Sequence, residues 1–302
     1  MSFVPFVHKK PIDDVVGLPF SCELLHFLTE WRISDAFEYA MDSSIDSSKV
    51  AFVTYASSNH FMEARKGIEN LRAELSNKII FYDLGLDANE IAELQNVCNL
   101  EVRKFEFKKY PDFVARLMGY NFKPIIMAEV FSEFPAYWII DTSARFFNTS
   151  KFIPTFHRNI TSKIIEPFVL RHDSSHSIFA ASNPEMYKYL PIDAEVAKEF
   201  AMLDANNIFI ARSEFSREVV KWNALCALTE NCMAPANSQL GCSFRGDRQR
   251  NYGSCHRYDQ SSVNIIVSNL LERDGWKRRD RVQVKSFPEA MRTKQASGRF
   301  DA

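Results

Sequence analysis

Glycine is scarce in this chain, nine among 302 residues. Neither a GxGxxG nor a GxxxxGK(S/T) pattern occurs, which excludes the glycine-rich phosphate loops those motifs build. No apolar run reaches about 18 residues, so no membrane-spanning helix is encoded. No sign of charge dominates, with 37 Lys and Arg against 38 Asp and Glu and a net charge of −1. A near-neutral chain has no global field to steer it to nucleic acid or acidic lipid. A Ser-His-Asp order, an HExxH pair and an EF-hand loop are all missing, and hydrolase and kinase readings lose their support with them. The first residues, Met1 to Lys10, lack the basic-then-apolar layout of a signal peptide.

What is present is an ordinary globular composition, 46% hydrophobic and 25% charged, with 26 phenylalanines. A chain of this length buries roughly 75% of its unfolded surface and needs no staples to fold. Six cysteines are present, however, and Cys226, Cys232, Cys242 and Cys255 fall close together, with Cys22 and Cys98 apart. Clustered cysteines point to disulfides in an oxidising compartment or to zinc, and zinc is the weaker reading without a CxxC pair. At least one disulfide is expected among the four. Two glycosylation sequons, at Asn148 and Asn159, are compatible with secretion. The literal reading of the chain is soluble and cytosolic; an anchor upstream of Met1 would reconcile the two sets of signals.

Residues 22–42 read as helical, Ser43 to Ser48 as a polar linker, and residues 1–47 together as an N-terminal helical extension. Regular alternation begins at Lys49. Residues 50–56 read as a buried strand, followed by a loop with Asn59 as a candidate cap and a helix from about Phe61 to Leu75. Residues 78–83 form a second strand, Gly85 a turn, and Asp87 the cap of a helix carrying Ile91, Leu94 and Val97. A half-exposed strand spans 100–107. Lys123-Pro124 opens a helix with Ile126, Val130 and Phe134 on one face, which Pro135 stops. The run Tyr137 to Ile140 then reads as a strand buried on both faces, ending at Asp141. This βαβ series argues for an α/β, Rossmann-like, mostly parallel sheet flanked by helices. Residues 177–181 and 208–211 read as short strands, 191–200 and 214–230 as helices, with Trp222 in the core. A loop from Cys232 to Cys255 carries the basic run Arg245 to Arg250. Asp259 starts a helix through Leu271, Asp274-Gly275 turns, residues 282–285 form a last strand, and 288–302 is a disordered tail.

Ligands of open α/β sheets bind at the carboxyl ends of strands. Asp141 and Asp83 end two strands here, and Thr54 and Ser57 belong to the end of the first. Each has an ordinary alternative as a cap or turn residue. Asp259, Gln260 and Asn264 open a late helix, where polar groups face a cleft or simply solvent. Lys123 reads as solvated rather than as a phosphate ligand. His172 and His176, four apart, suit metal binding only on a helix, and Asp173 to Ser175 between them reads as loop.

Six stretches in one order carry a resemblance: Thr54 to Ala64, Phe81 to Leu86, Phe122 to Glu129, Trp138 to Phe146, Trp222 to Leu228 with Cys232 to Pro235, and His256 to Ser261. Across about residues 48–286 the chain resembles the domain-of-unknown-function family 1647, which is similar to A-type glycosyltransferases. The resemblance implies a glycosyltransferase-A-like domain over residues 48–287, with a nucleotide-binding half and then an acceptor half. It implies transfer of a sugar from a nucleotide-sugar to a glycan or protein acceptor, and a place in the secretory pathway. Donor contacts would come from Thr54, Ser57, Asp83, Asp141, Ser143 and Arg145, and catalysis from Asp259 and Gln260. Such enzymes hold Mn²⁺ or Mg²⁺ with an Asp-x-Asp; here Asp141 is the only acid of Asp141-Thr142-Ser143, and it would be the metal ligand. The missing second acid motivates the alternative of a catalytically inactive sugar- or protein-binding relative. A methyltransferase reading is disfavoured by the absent glycine-rich first loop.

Overall fold

The computed structural model of the chain describes residues 7–9, 15–41, 45–147 and 149–272. At its centre is a six-stranded sheet built from β1 (Ala51–Ala56), β2 (Ile79–Asp83), β3 (Leu100–Lys104), β4 (Ala136–Ile140), β5 (Phe168–Leu170) and β8 (Asn207–Ala211). The order is β3-β2-β1-β4-β8-β5. The first four run parallel. β8 is antiparallel to both β4 and β5, so β5 points the same way as the parallel group. A separate antiparallel pair joins β6 (Asp173–Ser177) to β7 (Ala201–Leu203).

β1, β2 and β4 are buried at every position, as continuous apolar strands covered on both faces are. Successive side chains alternate between the faces. Val53, Tyr55, Tyr137 and Ile139 point to one core, shared with α1 (Leu25–Glu30), α4 (Phe122–Phe131), α7 (Glu214–Ala227) and α8 (Asp259–Glu272). Phe52, Ala56, Trp138 and Ile140 point to the other, shared with α2 (Phe61–Glu74), α3 (Ala88–Gln95) and α5 (Thr149–Thr161). The result is a helix–sheet–helix sandwich, the expected α/β class. A short helix, α6 (Ala194–Glu199), precedes β7 and is capped by Asp193.

Local chemistry explains most boundaries. Asp87 and Glu90 form a reciprocal capping box at the start of α3. Gly85 takes a φ of +126° in the turn between β2 and α3, a conformation other residues avoid. The first helix ends at Glu30 rather than near residue 42. Arg32 adopts φ 58° and Ile33 N–H bonds back to Leu28 O at 2.8 Å, a left-handed C-cap made without the usual glycine. Residues 177–181 are not a strand: β6 stops at Ser177, whose hydroxyl accepts from Ala180 N–H at 3.0 Å, and a 3₁₀ turn follows at Phe179–Ala181. Asn59 lies within a 3₁₀ turn and does not cap α2. β3 ends at Lys104, α7 at Ala227, and β5 and α5 have no counterpart in the sequence reading.

The N-terminal segment packs into the first core through Phe20, Leu24, Leu28, Trp31 and Ile33. Two disulfides close, Cys226–Cys232 and Cys242–Cys255, while Cys22 and Cys98 are free and exposed. The expected turn at 274–275, strand at 282–285, tail at 288–302, part of the Ser43–Ser48 linker and the sequon residue Asn148 lie outside the described residues. Among the described residues no helix is long and apolar enough to cross a membrane.

Candidate functional site

From β1 the chain passes to β2 on one side, and β4 lies on the other side of β1. Strand order therefore reverses between β1 and β4, and open α/β sheets bind their ligands outside the carboxyl ends of strands at such a point. Two polar side chains meet at that point. Tyr55, one residue from the end of β1, donates its hydroxyl to Oδ1 of Asp141, directly after β4. Asp141 is held in place by its backbone, donating N–H to Asn206 O at 2.8 Å and accepting from Ala144 N–H at 3.0 Å.

The third member comes from α4. This helix is apolar almost all round, and a helix of that kind is buried rather than laid on a surface. It is wedged between the sheet and α7, and Asn121 just before it donates to Ala227 O of α7 at 2.8 Å. Lys123 in its first turn is consequently buried, not solvated as the sequence suggested. Its Nζ lies 2.8 Å from Asp141 Oδ1 and 3.2 Å from Asp259 Oδ2. The ammonium also stands over the rings of Tyr120 and Tyr55, at 5.2 and 5.6 Å.

Asp259 opens α8, and the residue before it, Tyr258, has φ 46°. Tyr120, just ahead of α4, has φ 55°, and the two rings are 5.6 Å apart. Left-handed backbone at bulky residues persists only where surrounding structure enforces it. Here the enforcing contacts are visible. Cys255 is disulfide-bonded to Cys242. His256 Nδ1 accepts from Asn183 N–H at 3.0 Å while Nε2 donates to Met233 O at 2.9 Å. Tyr258 donates to Ser238 O at 3.2 Å.

Burial and mutual charge set the protonation states. Burial, reinforced by Asp141, pushes the Tyr55 phenol well above its usual range, so it stays a donor. Burial alone would pull Lys123 down, but Asp141 and Asp259 together raise it well above the ordinary lysine value. Burial raises Asp259, the Asp141 charge adds to this, and Lys123 opposes it. Of the three linked side chains, Asp141 is the most open, at 28% exposure against 9% for Lys123 and 12% for Asp259. A ligand would thus meet the Asp141 end first.

The structure brings Asp141 and Asp259 together but disperses most of the other expected residues. Thr54 is buried inside β1, on the face opposite Tyr55. Asp83 accepts from Gly85 and Leu86 N–H at 2.7 and 2.6 Å and stabilises its own turn. Arg145 donates to Thr142 O and Ala144 O and to Glu63 O of α2, fastening the loop after β4. Gly67 permits that approach, since a Cβ there would sit 3.1 Å from Thr142 O and 3.2 Å from the Arg145 guanidinium. Gln260 turns from Asp259 to donate to Ser174 Oγ at 2.6 Å. Ser57 donates to Asn59 at 2.6 Å, and Ser143 stays half-buried beside Asp141. Asn264 grips both backbone groups of Leu203 at 2.8 Å and is structural. His176 lies on β6 and His172 before it, off any helix.

Tyr55, Tyr120 and Tyr258 were not among the expected site residues. Tyr55 carried a readable signal: in a strand whose last residues approach the rim, the penultimate side chain shares the face of Asp141. The tyrosines before α4 and α8 meet only through tertiary packing.

The surroundings of Asp141 do not fit a divalent cation. A hard cation at a nucleotide site is held by one or two free carboxylates, with waters and phosphates completing its oxygen shell, and here both nearby carboxylates are taken by an ammonium. Thr142 spends its hydroxyl on Glu63 at 2.6 Å, and the space between Asp141 and Asp259 holds the Lys123 ammonium. Among the described residues no group of three His, Cys, Asp or Glu is arranged to hold a metal.

A family model described as protein of unknown function (DUF1647) matches residues 3–128. The resemblance to that family is borne out, but the matched residues begin at 3 rather than about 48 and end at 128 rather than about 286; they include Tyr55, Tyr120 and Lys123 and stop before Asp141. No curated protein matches the chain in sequence. Among solved structures, one similar chain is the galactosyltransferase LgtC in complex with donor and acceptor sugar analogues. It is 12% identical, with a TM-score of 0.39, over 72% of this chain and 70% of that one. Another is core-mannan synthase A from Aspergillus fumigatus in its Mn/GDP form. It is 10% identical, with a TM-score of 0.41, over 78% of this chain and 73% of that one.

Proposed function

We propose that the protein is a glycosyltransferase that moves a sugar from a nucleotide-sugar donor to a hydroxyl of a glycan or protein acceptor. The observation that carries this reading is the Tyr55–Asp141–Lys123–Asp259 array at the point where strand order reverses between β1 and β4. That is where an open α/β sheet receives a nucleotide. Buried, hydrogen-bonded charges there are costly unless they serve packing or a ligand. The exposed edge of Asp141 accepts from ribose or sugar hydroxyls in this scheme, with Ser143 two residues on in the same loop.

In the transfer step the bond from the anomeric carbon to the diphosphate oxygen breaks, and its electron pair leaves with the diphosphate. The acceptor oxygen bonds the anomeric carbon and gives its proton to a base. Asp259 is the proposed base, because burial raises its proton affinity while Lys123 favours the ionised form. Two disulfides among the described residues support an oxidising compartment, hence the secretory pathway.

A second reading is a non-catalytic relative that binds sugar. It is favoured by the fact that Lys123 and Tyr55 already have protein partners. A thermal-shift panel of UDP- and GDP-sugars separates ligand binding from none. A donor at about a hundred times its Kd adds about 2.7 kcal/mol of stability. Release of free nucleotide from the donor that binds supports the enzyme, binding without release supports the second reading, and no shift with any donor contradicts the proposed enzyme.

A further inference from the structure

The charge between Asp141 and Asp259 is supplied by the chain itself. In an Asp-x-Asp site two carboxylates converge on a divalent cation, which in turn meets ligand oxygens. Here two carboxylates from separate elements, the end of β4 and the start of α8, converge on the Lys123 ammonium at 2.8 and 3.2 Å. We infer that this site binds its nucleotide-sugar without a divalent cation, Lys123 standing where a metal would otherwise bridge the carboxylates. The inference rests on the nucleotide-sugar reading above.

Three features support it. Lysine has three N–H donors; Asp141 and Asp259 take two, and the third is left for a ligand oxygen. The ammonium is fixed rather than mobile, because its helix is packed on all sides and Tyr120 and Tyr55 flank it. The loop Asp141–Phe146 carries no carboxylate besides Asp141 and is fastened in place. Thr142 and Arg145 bind it to Glu63, and Asn70 exchanges two hydrogen bonds with Phe146 at 2.7 and 2.8 Å. A metal entering between the acids would have to evict a lysine rooted in the first turn of α4.

The test is calorimetric titration of the whole chain with UDP and with GDP, once in EDTA and once in MnCl₂. Equal affinity in both buffers, within about twofold, is expected. Binding seen only with Mn²⁺, or tightened by it more than about tenfold, overturns the inference while leaving the nucleotide reading intact. No binding of either nucleotide in either buffer removes both. Lys123→Ala adds an independent arm. Its affinity in EDTA should fall at least about tenfold, and Mn²⁺, admitted between the freed carboxylates, should restore part of the loss. A folded Lys123→Ala protein with unchanged affinity in EDTA overturns the inference. If that variant does not fold, the comparison of buffers on the unmodified protein decides alone.

Discussion

The ammonium of Lys123 lies 2.8 Å from Oδ1 of Asp141, joining the first turn of α4 to the end of β4. With Asp259 at 3.2 Å it makes one buried array out of three elements distant in sequence. Removing one member of such an array leaves charge buried without a partner, which typically costs about 3–5 kcal/mol. Lys123→Met, of similar volume, should lose stability in that range by urea unfolding. A change below about 1 kcal/mol would show that water, not Lys123, balances the carboxylates.

Tyr55 offers a milder probe. Its hydroxyl donates to the same Asp141 oxygen, and a hydrogen bond to a charged group contributes about 1.5–3 kcal/mol. Tyr55→Phe keeps the ring and its packing on Phe122. The expected loss is of that size by the same measurement, with the fold intact by circular dichroism. A neutral substitution would mean the phenol is dispensable to Asp141.

His256 sets an acid limit. Burial pushes it from an ordinary 6.5 down to about 4. The unfolded chain therefore binds a proton that the folded chain refuses between those values. The stability tied to neutral His256 is present above pH 6.5 and is lost as pH falls toward 4. Protonating Nδ1 would also break the bond from Asn183 N–H. At about 1.4 kcal/mol for each pH unit, the loss is on the order of 3 kcal/mol. Unfolding midpoints across this window should slope less steeply in His256→Gln. An equal slope would assign the acid sensitivity to other groups.

The Cys242–Cys255 disulfide ends four residues before Asp259 and anchors the loop that delivers it. A closed loop of this length stabilises by roughly 3 kcal/mol. The double replacement by serine should lower the melting temperature and weaken nucleotide binding together. Peptide mapping should find Cys226–Cys232 and Cys242–Cys255 paired, and Cys22 and Cys98 open to alkylation without denaturant. Any other pairing would contradict the loop geometry.

The parallel half of the sheet was readable because its strands are unbroken apolar runs punctuated by Gly85, Asp87, Pro124 and Pro135. The placement of β8 was not, since nothing local to Asn207–Ala211 says that the strand runs antiparallel to β4. Three-residue β5 is too short to show a period. Asp141 and Asp259 were both legible as helix- or strand-end acids, but their convergence was not. The burial of Lys123 has a definite local reason. Ile126, Val130 and Phe134 suggest one apolar face, whereas α4 ends at Phe131, short of Phe134, and Ile125, Met127 and Phe131 bury its other sides, all but Glu129, and with them its one cation. Gln260 was carried along by its neighbour, yet one helical residue turns about 100°, which points it to Ser174 and away from the array.

The most direct test of the account is the affinity of Asp141→Ala for whichever UDP- or GDP-sugar binds the unmodified protein best. If Asp141 accepts ligand hydroxyls at the carboxyl ends of β1 and β4, losing hydrogen bonds to a charged group should weaken binding by about tenfold or more. A folded Asp141→Ala protein that binds the same nucleotide-sugar with unchanged affinity would place the ligand elsewhere and contradict the account.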